Sequence, residues 1–215
     1  MTTEPFAAPA AQPSIQPGTQ PDPKTAKILA ASKETFLELG YAATSMDLIA
    51  QRARVSKTTL YTRFPSKEEL FSATIQAECD RRGLAFAPEA FDDLPVEDAL
   101  YRVARCFVDL LWSPEVVKMH QIVLGEAARF PEVAGLYYKA GPEKTVVAFV
   151  ALFERMVRRG VIRIDDPAFT ATQFLSVLQG GARCALELGL CDYPPEEERE
   201  AFVRKAVALF VKGIQ

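Results

Sequence analysis

The chain has 215 residues, of which 49% are hydrophobic and 25% charged, with a formal net charge of −3. That is enough for one large or two small domains with a real core, at a composition usual for soluble globular proteins. No apolar run is long enough to span a bilayer, no basic segment precedes an apolar core as a secretory leader requires, and the mildly acidic balance excludes indiscriminate nucleic-acid binding.

Residues 1–22 are rich in Pro, Ala, Gln and Thr, with Pro5, Pro9, Pro13, Pro17 and Pro21 recurring through them. Such a segment cannot build a core and reads as a disordered tail. A first helix is expected from Pro23, with Asp22 as its cap and Gly40 as its stop. Ile28, Leu29, Ala31, Ser32, Phe36 and Leu39 follow helical spacing along it. Thr44 or Ser45 opens a second helix to about Arg52, Ser56 a third from Lys57 to about Arg63, and Ser66 a fourth after Pro65. Ser66 and Glu69 have capping-box spacing.

A loop from Gly83 to Pro95 leads to a longer helical region. Helices are expected over Val96–Trp112, Glu115–Arg129, Pro131–Lys139 continuing past Gly141–Pro142 to Arg159, Pro167–Leu188 and Pro195–Val211. No alternating run bounded by hairpin turns appears. The expected fold is all-α with about nine helices, divided into a tail (1–22), an N-terminal domain (23–83) and a C-terminal domain (84–215).

Four scattered cysteines without a CxxC pair fit a reduced, cytoplasmic setting and small buried side chains. With one histidine, no metal-ligand spacing and no nucleophile–base pattern, the sequence supports neither an enzyme nor a cofactor. The acidic pair Asp165–Asp166 and the run Glu196–Glu198 read as helix-start residues.

Function concentrates between Thr44 and Phe71. From Leu48 to Lys67 there are Arg52, Arg54, Lys57, Arg63 and Lys67 and no Asp or Glu. Ile49, Ala53, Val55 and Leu60 face inward and hold two helices at a steep angle around the turn Ala53–Arg54–Val55, a helix-turn-helix over about 45–64. The outward face then carries Lys57, Thr58, Tyr61 and Thr62, with Thr59 and Arg63 at its flanks. Thr and Lys suit base edges and thymine methyls in a major groove, whereas Tyr61 and Lys67 suit phosphates. Backbone N–H groups near Thr44, Ser45, Ser56 and Ser66 suit phosphate oxygens.

These residues carry a resemblance. FLELGYAATSMDLIAQRARVSKTTLYTRFPSKEELF, above all VSKTTLY followed by RFPSKEELF, makes Ile28 to Ile75 resemble the DNA-binding domain of the TetR family of one-component bacterial regulators. VLGEAARFPEVAGLYYKAGPEK and RRGVIRIDDPAFTATQFLSVLQG are similar to the C-terminal domain of its AefR-like subgroup. The resemblance implies a three-helix unit that reads a double-stranded operator, and a variable bundle that dimerises and usually holds a small ligand. It also implies Gly in the turn where this chain has Arg54. Arg54 then either meets the cost of a positive φ or reshapes the turn, and it is either a simple tolerated substitution or a residue that reaches a backbone phosphate.

Two readings follow for the C-terminal bundle. Leu175, Leu178, Gly181, Ala182, Ala185 and Leu186, with Phe202, Val203, Val207 and Phe210, are expected to form a homodimer interface. Phe107, Leu111, Trp112, Met119, His120, Leu124, Tyr137, Tyr138, Phe149 and Phe153 are the candidate lining of a pocket for a small hydrophobic or aromatic effector. The expected function is a dimeric repressor released from a palindromic operator by that effector. The alternative is a closed bundle governed by a protein partner or by promoter competition.

Overall fold

The computed structural model describes residues 22–214. The described residues form ten α-helices and one short 3-10 turn, with no strand, which is the expected all-α class. The proline-rich segment lies, apart from Asp22, outside the described residues.

The first helix, α1, spans Pro23–Ala43. Asp22 caps it, its carboxylate accepting the N–H groups of Lys24 and Thr25. α2 (Met46–Ala53), α3 (Lys57–Arg63) and α4 (Lys67–Arg81) each start at a serine whose hydroxyl accepts the N–H three residues on. Ser45 serves Leu48, Ser56 serves Thr59 and Ser66 serves Glu69. Each cap contributes about 1 kcal/mol, so the boundaries of these short helices are set locally.

Beyond a 3-10 turn at Pro88–Phe91 come α5 (Val96–Leu111), α6 (Pro114–Ala127), α7 (Pro131–Ala140), α8 (Pro142–Arg158), α9 (Pro167–Glu187) and α10 (Glu196–Val211). Ser113 and Asp166 cap α6 and α9 as their sequences indicate. The segment read as one helix across Gly141–Pro142 is two, because Gly141 leaves helical geometry at φ −120, ψ −80 and Pro142 begins a new first turn. Gly141 also packs so closely on α4 that a Cβ there would stand 3.2 Å from Ile75 Cγ2.

Two glycines bend helices rather than end them. Gly40 has φ 79 inside α1, after which Tyr41–Ala43 resume helical hydrogen bonding. Gly180 has φ 60 inside α9, and a Cβ there would meet the Phe202 ring at 3.0 Å. The indole N–H of Trp112 donates to the Gln179 carbonyl beside this bend at 3.1 Å, and the Trp112 ring lies 4.8 Å from that of Phe202.

Two apolar cores result. One joins α5, α8, α9 and α10 around Phe149, Phe153 and Phe174. The other joins α1–α4 but also takes Met119 and Val123 of α6 and Val133 and Ala140 of α7. The packing unit around the N-terminal helices thus extends past the loop at Gly83. Of the cysteines, Cys79 and Cys106 are partly buried, whereas Cys184 and Cys191 are exposed thiols, contrary to the expectation of burial.

Gly180→Ala places a side chain at positive φ against Phe202, a strain of about 1–2 kcal/mol. A thermal melt followed by circular dichroism should lose roughly 2–8 °C. An unchanged melting temperature would show that the bend in α9 is not required.

Candidate nucleic-acid interface and the cavity behind it

The helix-turn-helix is built from buried Ile49, Ala50 and Ala53 of α2 and Leu60 of α3. An aromatic cluster supports it from below: Phe36 and Tyr41 of α1 each meet the Phe71 ring of α4 edge-on at 5.1 Å. Arg54 closes the turn at φ 55, ψ 46, the left-handed conformation that the sequence expectation required of this position. Its N–H reaches the carbonyls of Ala50 and Gln51, so the conformation is held by backbone hydrogen bonds despite the side chain.

The outward face of α3 carries Lys57, Thr58, Tyr61, Thr62 and Arg63, all exposed, with Tyr61 at 46%. The cations are less available than their local sequence implies. Lys57 pairs with Asp47 at 2.6 Å, Arg52 with Glu38 at 2.6 Å and Arg63 with Asp22 at 2.5 Å. All three carboxylates precede Leu48 in the chain, which is why the acid-free window from Leu48 to Lys67 did not reveal them. The Asp22 carboxyl is pulled down to about 2 by the Thr25 hydroxyl and by Arg63, against its partial desolvation. All three pairs are solvent-accessible, and such pairs are worth only about 0–1 kcal/mol, so phosphate can replace the carboxylate at little cost. The Thr62 hydroxyl donates to the Thr58 carbonyl at 2.7 Å, and Thr59 meets the Ser56 hydroxyl at 2.8 Å. Arg54, Thr58 and Tyr61 side chains have no polar partner among the described residues and are free to meet a ligand.

Two expected contacts are placed elsewhere. Thr44 is buried, and its hydroxyl donates to the Gly40 carbonyl at 2.6 Å, closing the bend in α1. Lys67 turns inward. Its ammonium donates to the Tyr41 and Thr44 carbonyls at 2.9 and 3.1 Å and lies 4.2 Å above the Tyr41 ring. It ties the C-terminal end of α1 to the start of α4, where the α1 helix dipole favours a cation. Tyr41 completes the tie by donating its hydroxyl to Glu68 at 2.9 Å.

Behind this unit lies a cavity of about 330 Å³. Five of the residues expected to line it do so: Phe107, Leu111, Met119, His120 and Tyr137. Trp112, Phe149 and Phe153 are instead packed in the core, and Leu124 and Tyr138 are exposed at 59% and 55%. The unexpected lining comes from both sides. α1 and α4 supply Lys33, Leu37, Thr74, Ile75, Glu78 and Cys79, and α9 supplies the polar series Thr172, Ser176, Gln179, Arg183 and Glu187. That series recurs at helical spacing along one face of α9, a signal the sequence contained.

The cavity's charges are paired. Lys33 faces Glu78 at 3.5 Å. Arg183 donates to Glu187 at 2.6 Å and to the Leu111 carbonyl, and Glu187 also meets His120 Nδ1 at 2.5 Å. Burial opposes ionisation of Glu187, yet the hydrogen bonds from His120 and Arg183 hold its carboxyl below the usual range. Burial raises the Tyr137 hydroxyl to about 12 and the Cys79 thiol to about 11. Among the described residues no cluster of His, Cys, Asp or Glu is arranged to hold a metal.

The expected dimer stripe faces inward. Leu175, Leu178 and Leu186 of α9 and Val203 and Val207 of α10 are buried in the protomer's own core. Phe202 packs on Trp112, and Phe210 lies 4.6 Å from Phe174. Gly181 is exposed, with Ala182 and Ala185 partly so. The outward apolar residues of these helices are Phe169, Val177 and Leu209, with Leu188 at the end of α9, at 62%, 38%, 70% and 66% exposure.

A tri-helical reading head on a helical body with an internal cavity defines a helix-turn-helix transcriptional regulator. The description of the TetR family of bacterial regulatory proteins matches residues 28–74, and that of the AefR-like transcriptional repressor C-terminal domain matches residues 98–213. The chain belongs to the TetR family of transcriptional regulators, with an AefR-like C-terminal domain. It is 30% identical over 158 residues to the HTH-type transcriptional regulator YhgD of Bacillus subtilis, covering 70% of this chain and 78% of that one. It superposes on the flavonoid-responsive regulator FrrA with a TM-score of 0.68 at 37% identity, covering 89% of this chain and 97% of that one. A TetR-family regulator from Mesorhizobium loti shares the fold with a TM-score of 0.73 at 23% identity, covering 92% and 99%. None of the described helices is long and apolar enough to cross a membrane.

Replacing Lys67 by Met removes two charge-assisted hydrogen bonds and should cost about 1.5–3 kcal/mol of stability in a denaturant titration. Loss of DNA affinity without loss of stability would instead assign Lys67 to phosphate. Arg54→Gly relieves the positive φ and should hold or raise stability by up to about 1 kcal/mol. The same variant lowers the salt slope of DNA binding by about one only if Arg54 meets a phosphate.

Proposed function

We propose that the chain is a dimeric transcriptional repressor that a small aromatic molecule releases from a pseudo-palindromic operator. The observation that carries this reading is the shared wall. α1 and α4 form part of the DNA-reading unit and also line the cavity, so an occupant touches the elements that carry the recognition helix. The AefR-like match, described as a repressor domain, supports repression over activation.

In this reading residues 23–83 bind DNA and residues 84–215 bind effector and partner subunit. Thr58, Lys57 and Thr62 meet bases, Lys57 after leaving Asp47. Arg54, Tyr61, Arg63, Ser45, Ser56 and Thr59 meet phosphates, Arg63 after leaving Asp22. One such unit reads too few base pairs to be selective, whereas two on a two-fold axis read half-sites about one helical turn apart. The outer faces of α9 and α10, with Phe169, Val177, Gly181, Leu188 and Leu209, are the proposed interface, because such apolar groups are otherwise left in water. The protein would act in the cytoplasm, where its operator is.

The cavity favours an effector over a closed body governed by a protein partner. Its volume of about 330 Å³ sits at the small end of the range for compact ligands, roughly 300–1,000 Å³. The 37% identity to a flavonoid-responsive regulator supports an aromatic effector of that size.

Fluorescence anisotropy with duplexes from the protein's own upstream region should give at least about 10³-fold tighter binding to one pseudo-palindrome than to its scrambled version. Equal binding to both would overturn the regulator reading. The double variant Leu188→Glu, Leu209→Glu should sediment as a monomer and lose that preference. A dimer retained in that variant would move the interface elsewhere.

A further inference from the structure

Resting on the effector-responsive reading, we infer that the cavity selects an uncharged planar phenol and rejects carboxylates, with the phenol oxygen received between Tyr137 and His120. Arg183 looks like an acid-binding residue in sequence. In the fold it is withheld, with Nε on Glu187 at 2.6 Å and another guanidinium nitrogen on the Leu111 carbonyl. The other cation in the lining, Lys33, faces Glu78 at 3.5 Å. The remaining ionisable side chains of the wall are the carboxylates Glu78, Glu115 and Glu187, the thiol of Cys79, Tyr137 and His120. A buried carboxylate ligand would therefore meet three acids and no unclaimed cation, which is strongly unfavourable.

The groups that remain open are neutral hydrogen-bonding ones. The Tyr137 hydroxyl lines the cavity and has no partner among the described residues. His120 is fixed from one side, because Nδ1 donates to the ionised Glu187 at 2.5 Å. That leaves Nε2 as the ring nitrogen open to a ligand. The two rings lie nearly parallel, 26° apart with centroids at 5.8 Å, so both face the same stretch of the wall. A phenol satisfies both: its O–H donates to His120 Nε2 and its oxygen accepts from Tyr137. The flat apolar remainder lies against Leu37, Ile75, Phe107 and Met119. No proton leaves the ligand, so no charge is buried.

The test uses three matched probes, para-hydroxychalcone, its methyl ether and its para-carboxy analogue, titrated calorimetrically into the full-length protein. The hydroxy compound should bind about 10-fold tighter than the methyl ether, the worth of one hydrogen bond. The carboxylate should bind at least about 100-fold more weakly than the phenol. Tyr137→Phe, verified folded by its melting curve, should weaken the hydroxy compound about 10-fold by removing the hydrogen bond its oxygen accepts, and should weaken the ether, whose oxygen accepts the same bond, as well. Tightest binding of the carboxylate, indifference to Tyr137→Phe, or no binding by any probe would overturn the inference. Operator release is read separately on the same complexes. If the phenol binds as expected and the operator stays bound, the release mechanism fails while the ligand class stands.

Discussion

The account depends on one constraint, the packing of α1 and α4 against α6 and α7. The aromatic trio Phe36, Tyr41 and Phe71 locks α1 to α4, and Lys67 closes the same joint through the Tyr41 and Thr44 carbonyls. The joint is then held from behind. Glu126 of α6 accepts the Ala42 N–H at 3.2 Å, in the space left where Gly40 lacks a side chain. Gly141, between α7 and α8, presses on Ile75 and Cys79 of α4. A close-packed interior does not deform continuously, so in the proposed reading an occupant that displaces one wall of the cavity shifts α1 and α4 as a unit. The recognition helix rides on that unit.

Electrostatics sets how firmly the unit meets DNA. A chain with a net charge of −3 cannot rely on bulk attraction. Its recognition face instead holds three arginine and lysine side chains in accessible pairs with Asp22, Glu38 and Asp47. In free protein these pairs fix side-chain positions and mask charge. In the proposed reading a DNA phosphate takes the place of the carboxylate, an exchange that costs little because exposed pairs are worth only about 0–1 kcal/mol. Arg54, held at the turn with no partner among the described residues, is the cation open from the start.

Much of this was legible in the sequence. Asp22, Ser45, Ser56, Ser66, Ser113 and Asp166 act locally, so their hydrogen bonds follow from neighbours three or so residues away. The helix-turn-helix is legible for the same reason, including the left-handed Arg54. What sequence order hides is long-range. Lys67 and Thr44 look like surface contacts until the bend at Gly40 brings free carbonyls to them. For the α9 and α10 stripes, period alone shows that a face is apolar, not whether it meets its own core or a second subunit. Leu175 and Val203 took the core, leaving Phe169 and Leu209 outside. The cavity was half legible: its aromatic side was expected, while its α1, α4 and polar α9 walls follow only from tertiary packing.

The central claim is a coupling between cavity and operator, and coupling is reciprocal. The most direct measurement is the affinity of para-hydroxychalcone for the free protein and for protein saturated with its operator duplex. The account predicts weaker binding to the DNA complex, by the same factor, about 5- to 150-fold, with which the phenol weakens the operator. Equal affinities in the two states would contradict it, because a ligand that binds both alike shifts neither.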